Sequence, residues 1–358
     1  MVPAFPPNNH TFSRPLELKP DMPEAARRWD AWFAGGILDR PIVCVTSPKG
    51  KRPPLKLPAY RERVFGDMDE SIHDQLCAAA ATHYAGEATP WLRLSFGPDE
   101  IAVFCGAQLA WSEDSGDTNW SVACVSDWAE ALPVGLIGQH PLYRRMLTMY
   151  SRAVDLVGGK MLLGSPDLHT NMDLLAALRG PQRLCADLLD CPEVIDRAMA
   201  DARAVFRQLW DAVWQAGRMA EIGYVPTTTL QCDFSCMVSP AMSRRWIIPA
   251  LEEEAAICGH VTYHWDGPGA LVHLDDLCAT KGLAALDYVP GAGRGSHLDY
   301  LDLFKRIQSR GKAVSVWGSV DEVKAMHREL RPELTIYHSW VGTPQEADGL
   351  VEWFVQNT

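Results

Sequence analysis

The sequence has little of what would classify it quickly. Its ten cysteines among 358 residues form no Cys-x-x-Cys pair; the closest spacings are Cys232-x3-Cys236 and Cys185-x5-Cys191. That pattern excludes a disulfide framework, and Cys44, Cys105 and Cys124, set in apolar runs, read as small reduced core residues. Positive charge is short as well. Thirty-three Lys and Arg face 45 Asp and Glu, a net charge of −12, so neither nucleic acid nor an anionic membrane is the expected partner. Charge or proline interrupts every apolar run before it reaches membrane-spanning length. The start, Met1-Val-Pro-Ala-Phe-Pro-Pro, lacks the basic end and apolar stretch of a signal peptide. These absences lead us to expect a soluble, cytoplasmic protein.

What is present is a core and a rhythm. Hydrophobic residues make up 47% of the chain, enough for a sizeable globular interior. After a Pro- and Asn-rich stretch over 1–20, a helix is predicted over 23–33. Strand-like and helix-like segments then alternate, the mark of parallel α/β organisation. Strands are predicted over 41–47, 91–96, 160–163, 229–234, 261–263, 284–289, 313–317 and 334–337. Helices are predicted over 70–85, 139–157, 171–179, 182–190, 192–217, 240–258, 270–277, 298–309, 320–330 and 344–356. Eight strands separated by helices predict a (β/α)8 TIM-type barrel. It would occupy 1–358 as one domain, with residues 1–40 as an N-terminal arm and helix. A doubly wound sheet is the alternative.

Polar residues cluster where those strands end. Val261-Thr-Tyr-His-Trp-Asp-Gly-Pro-Gly269 is the sharpest case. Residues two apart on a strand share a face, so His264 and Asp266 point the same way where strand yields to loop. Such a pair can hold a metal, move a proton, or form a buried hydrogen bond. Asp167 and His169 follow the strand at 160–163, and Asp233 ends the one at 229–234; they are candidates for catalytic or positioning work. Tyr288, Trp317 and Arg294 are candidate substrate contacts. Arg294 lies in Gly291-Ala-Gly-Arg-Gly295, which reads as a barrel loop rather than a dinucleotide motif because no βαβ unit with an acidic residue follows. His273, Asp275 and Asp276 either orient His264 or form a solvated helix face.

Four blocks carry a resemblance. They are Gly164-Ser-Pro-Asp-Leu-His-Thr-Asn-Met-Asp-Leu-Leu-Ala-Ala-Leu-Arg-Gly180 with Leu188-Leu-Asp-Cys-Pro-Glu-Val194, then Gln231-Cys-Asp-Phe-Ser-Cys-Met-Val-Ser-Pro240 with Ile248-Pro249, Tyr263-His-Trp-Asp-Gly-Pro-Gly269, and Tyr337-His-Ser-Trp-Val-Gly-Thr-Pro344. In order and spacing they resemble the uroporphyrinogen decarboxylase superfamily across roughly residues 20 to 356. The resemblance implies a distorted (β/α)8 barrel with its site at the C-terminal mouth.

The chain departs from both main chemistries of that superfamily. The haem-pathway decarboxylases carry an arginine-rich N-terminal motif, which Arg27-Arg-Trp-Asp-Ala-Trp-Phe-Ala-Gly-Gly-Ile-Leu-Asp-Arg-Pro41 does not repeat. The methyltransferases bind zinc through a His-x-Cys pair and a later Cys. Here the corresponding positions hold His264, Asp266 and His338, which would still make an open zinc set, though a harder one, less suited to activating a thiolate. The resemblance thus implies a metal-dependent, methyltransferase-like enzyme acting on a small methylated or carboxylated substrate. Zinc or another divalent ion would be its cofactor, and a corrinoid protein its partner. The alternatives are a cofactor-free decarboxylase or a non-catalytic corrinoid- or ligand-binding subunit; a homodimer is compatible with each.

Overall fold

The computed structural model describes residues 12–50, 57–112, 114 and 117–358. The beginning of the proline-rich arm and most of the predicted loop at 48–57 lie outside them. Its strands are β1 (Ile42–Pro48), β2 (Thr82–Gly86), β3 (Trp91–Leu92), β4 (Gln108–Ala110), β5 (Trp120–Val122), β6 (Leu162–Leu163), β7 (Thr228–Gln231), β8 (Val261–Asp266), β9 (Leu283–Val289), β10 (Ala313–Trp317) and β11 (Thr335–Trp340). The main sheet runs β2-β1-β11-β10-β9-β8-β7. Every pairing in it is parallel except that of β2 with β1. β3 pairs with β6, and Leu163 bridges to Tyr224 just ahead of β7.

The alternation of strands and helices is therefore as expected, but the sheet does not close among the described residues. Two features explain this. β2 lies antiparallel on the edge of β1, the edge that a closing strand would need. The segments that would complete the ring, β3 and β6, are only two residues long each. The helix expected to reach residue 85 stops at Ala80, because Thr82-His-Tyr, rich in β-formers, finds that free edge. Gly86 ends β2 at φ +62, and a Cβ there would lie 2.1 Å from the Val43 carbonyl oxygen, so only glycine allows so close an approach.

Helix boundaries follow local chemistry. Ser319 with Glu322, and Thr343 with Glu346, form capping boxes ahead of helices Val320–His327 and Pro344–Asn357, satisfying backbone N–H groups that have no partner within the helix. The helix predicted over 240–258 is interrupted by a π-helical turn at Ser243–Ile247. Pro249, which follows, has no N–H to offer the ladder.

One end of the sheet is plugged. Trp29, Trp32 and Met22 of helix Met22–Phe33 pack in one cluster with Ile42, Ala285, Ala313 and Ile336, at or near the beginnings of β1, β9, β10 and β11, and with Leu162 of β6. Phe33 stacks on His260, immediately before β8. Burial of such side chains contributes about 1.5–3 kcal/mol each, so the N-terminal ends of the strands are sealed by apolar contact. The opposite ends carry the polar residues.

Candidate active site

Strand parity selects what faces the site. β8 pairs His264 with Gln231 of β7 and with Asp287 of β9, and partners in a parallel sheet share a face. Asp266 shares it as well, two residues along. Tyr263 and Trp265 point to the other side, where both are fully buried. Tyr288 belongs with them, packed edge-on against Trp265 and Tyr300. The β9 residue beside His264 is therefore Asp287 and not Tyr288, which corrects the expected substrate contact.

A hydrogen-bonded chain runs from β7 across the mouth. Gln231 Nε2 donates to Asp167 Oδ1 at 2.6 Å, and Arg93 donates to Asp167 Oδ2 at 2.9 Å. His169 lies between two carboxylates, with Nε2 3.5 Å from Asp167 Oδ1 and Nδ1 3.6 Å from Asp173 Oδ2. Asp173 in turn accepts the backbone N–H groups of Asp233 and Phe234, at 2.9 and 2.8 Å. Asp233 begins the 3-10 turn Asp233–Met237 after β7. His273 donates from Nε2 to the Ser235 carbonyl at 2.8 Å, so it holds that turn rather than His264. Asp275 and Asp276 pair with Arg310 and Arg244 on the surface. Sequence reasoning thus found Asp167, His169 and Asp233. It missed Arg93, Gln231, Asp287 and Asp173, although Asp173 stands one helical turn from His169 inside a conspicuous block.

The electrostatics follow from burial and neighbours. Burial lowers the His169 pKa, but Asp173, Asp167 and Asp233 outweigh it and the net shift is upward, favouring imidazolium. Burial pushes Asp173 up to about 6. It also raises Asp233, against the pull of His169 and His264 and with the push of Asp266 and Asp167. Asp287 is raised by burial too, although Trp317 and His264 oppose this. Behind the chain, fully buried Glu100 accepts the N–H groups of Phe96 and Asp167 at 2.5 and 2.8 Å, and burial carries its pKa to about 8. A carboxyl poised between its two protonation states beside an imidazole can deliver or accept a proton near neutral pH.

Trp317 closes the site on the β10 side. Its ring lies on that of His338, with centroids 4.0 Å apart and planes 12° apart, and its Nε1 donates to Asp287 Oδ2 at 3.3 Å. Burial lowers the His338 pKa to about 3, so that imidazole is neutral. Arg294 sits on an exposed turn, where its backbone carbonyl accepts the Tyr300 hydroxyl.

The zinc set was tested on this geometry. β9 and β10 stand between His264 on β8 and His338 on β11. No three His, Cys, Asp or Glu side chains among the described residues gather as a metal-holding group. His264, Asp266 and His338 therefore do not fit zinc as one set, and no step is derived through it.

Fold and site together describe an α/β protein with a hydrogen-bonded polar cluster at the C-terminal ends of its parallel strands. Comparison with known proteins is consistent with that class. No family model matches the chain, and no curated protein matches it. Among solved structures, a methyltransferase from Methanosarcina mazei superposes with a TM-score of 0.58 at 13% identity, covering 92% of this chain and 97% of that one. At this identity the likeness speaks for the fold alone. No helix among the described residues is long and apolar enough to cross a membrane.

Proposed function

We propose that this chain is a methyl-transferring enzyme of the uroporphyrinogen decarboxylase superfamily, built on a distorted (β/α)8 barrel and acting on a small methylated compound. The observation that carries the reading is His169 held between Asp167 and Asp173, beside the carboxyl of Asp233, whose pKa burial raises against the pull of His169 and His264. When a methyl group leaves a heteroatom, the electron pair of the broken bond stays on that atom. Asp233 supplies the proton that caps it. His169 and its flanking carboxylates hold the charge steady, and Asp173 fixes the backbone that presents Asp233. The methyl acceptor in this reading is a reduced corrinoid carried by a partner protein.

A decarboxylase could use the same acid to protonate the carbanion left by carbon dioxide. It would also need a cation for the substrate carboxylate, and the Arg93 guanidinium is already engaged by Asp167. That observation favours methyl transfer. The test is to incubate the full chain with reduced cobalamin and a panel of methyl ethers, amines and thioethers, following methylcobalamin by absorbance. Asp233→Asn should lower the rate on the order of 100-fold or more. Wild-type turnover by that variant would refute the assignment of the acid.

A further inference from the structure

The charges at the mouth do not balance. Asp167 is matched by Arg93 and Gln231, and Asp173 by His169 and two backbone N–H groups. Asp233 lies in the fields of both His169 and His264, and Asp287 in that of His264, so with Asp266 five carboxylates share Arg93 and two imidazoles. The Oδ1 atoms of Asp233 and Asp287 are shut off from solvent and have no hydrogen-bond partner among the described residues. A buried acceptor left this way is costly unless a ligand meets it. Next to them stands an aromatic wall. Trp317 is 51% exposed, unusual for an indole at a strand end, yet its ring is fixed by the stack on His338 and the bond to Asp287. Carboxylates beside an exposed, immobilised indole are the groups that recognise a methylated cation.

We propose that the substrate is a methylated ammonium compound, its methyl groups against the Trp317 ring and its positive charge facing Asp266 and Asp287. The inference rests on the methyl-transfer reading above and names the donor. A reduced corrinoid, held by a partner protein, would supply the electron pair that takes up the methyl carbon. The C–N bond breaks with its pair left on nitrogen, and the neutral amine takes the proton of the Asp233 carboxyl. An anionic substrate would face more carboxylates than cations here.

The experiment compares choline with its uncharged carbon isostere, 3,3-dimethyl-1-butanol, by calorimetry and tryptophan fluorescence on the full chain. Choline should bind saturably, and at least about 10-fold more tightly than the isostere. Asp266→Asn and Asp287→Asn should each weaken choline severalfold and leave the isostere unchanged. Trp317→Ala should weaken choline and Trp317→Phe should restore most of it. Thermal melts show which variants are folded, and Asp266→Asn with Trp317→Phe suffices if the others are not. Equal affinity for the two probes, or no choline binding by wild type, overturns the proposal. If a neutral methyl ether yields methylcobalamin while choline does not bind, the charge inference falls and methyl transfer stands. If choline binds as described but no donor yields methylcobalamin, the recognition stands and the reaction assigned above falls.

Discussion

Glu254 offers a prediction whose sign reverses with pH. Its side chain is buried on helix Ile248–Cys258, 1% exposed. Oε2 accepts Asn171 Nδ2 at 3.4 Å, and Oε1, near the Thr170 hydroxyl, makes no hydrogen bond of normal geometry among the described residues. No cation stands near enough to matter: burial dominates, the hydrogen bonds of Thr170 and Asn171 oppose it, Asp173 and Glu253 add to it, and the pKa rises from 4.5 to about 8. An acid raised on folding favours the folded state while it stays protonated. Its contribution is complete below the unfolded value of 4.5 and is lost as pH rises toward and through 8. Over that interval the loss approaches about 4 kcal/mol at pH 8.

Glu254→Gln removes the titration. The Gln Nε2 would occupy the unpartnered Oε1 position at a cost of about 1 kcal/mol. At pH 5 the variant should therefore melt at, or about 1 °C below, the wild-type temperature. At pH 8 it should be more stable by about 3 kcal/mol. An unfolding entropy of about 0.75 kcal/mol/K for a chain of this length converts that to about 4 °C. Parallel melts followed by circular dichroism at pH 5, 6.5 and 8, at one scan rate, read the crossover. A variant that melts below wild type at every pH would refute the reasoning.

How much of this could be read from the chain depends on whether a feature is local or set by register. Alternation along Val261–Asp266 puts His264 and Asp266 on one face without any knowledge of neighbours. Asp167 and His169 stand out for the same reason, just beyond an apolar strand and beside a helix start. The partner of His264 on β9 is different. Choosing Asp287 over Tyr288 requires the pairing of β8 with β9, and that register shifts between Val261 and Thr262. An aromatic at a strand end was the more conspicuous sign and the wrong parity. Arg93 and Glu100 reach Asp167 across 74 and 67 residues, distances over which spacing carries no information. The zinc set depends on tertiary placement too: motif spacing identifies His264 and His338 as counterparts of metal ligands, and strand order sets β9 and β10 between them. β2 was read as helix because its strand character is realised only on the edge that β1 leaves free.

At pH 5, where the Glu100 carboxyl is protonated, Glu100→Gln should cost more than Glu254→Gln, because both Glu100 oxygens accept backbone N–H groups and an amide can accept with only one; a loss of about 1–3 kcal/mol in a denaturant melt at that pH is expected, and an unchanged midpoint would contradict it. His338→Ala should leave any zinc that copurifies with the protein unchanged, since His338 is engaged in its stack on Trp317 and belongs to no metal-holding group among the described residues; loss of stoichiometric zinc, measured by elemental analysis, would restore the three-residue set. Asp173→Asn tests the proton-handling cluster itself. Asp173 is the strongest influence raising the His169 pKa against burial, so its neutralisation should move that pKa down. In a reaction that needs the imidazolium, the limb of the pH–rate profile on which activity falls with rising pH should shift to lower pH by the same amount. Histidine NMR titration, with the His169 resonance assigned by its loss in His169→Asn, measures the pKa directly. If that pKa stays put while the rate falls, Asp173 works only through the backbone of Asp233, and His169 is a structural counter-ion with no part in proton delivery.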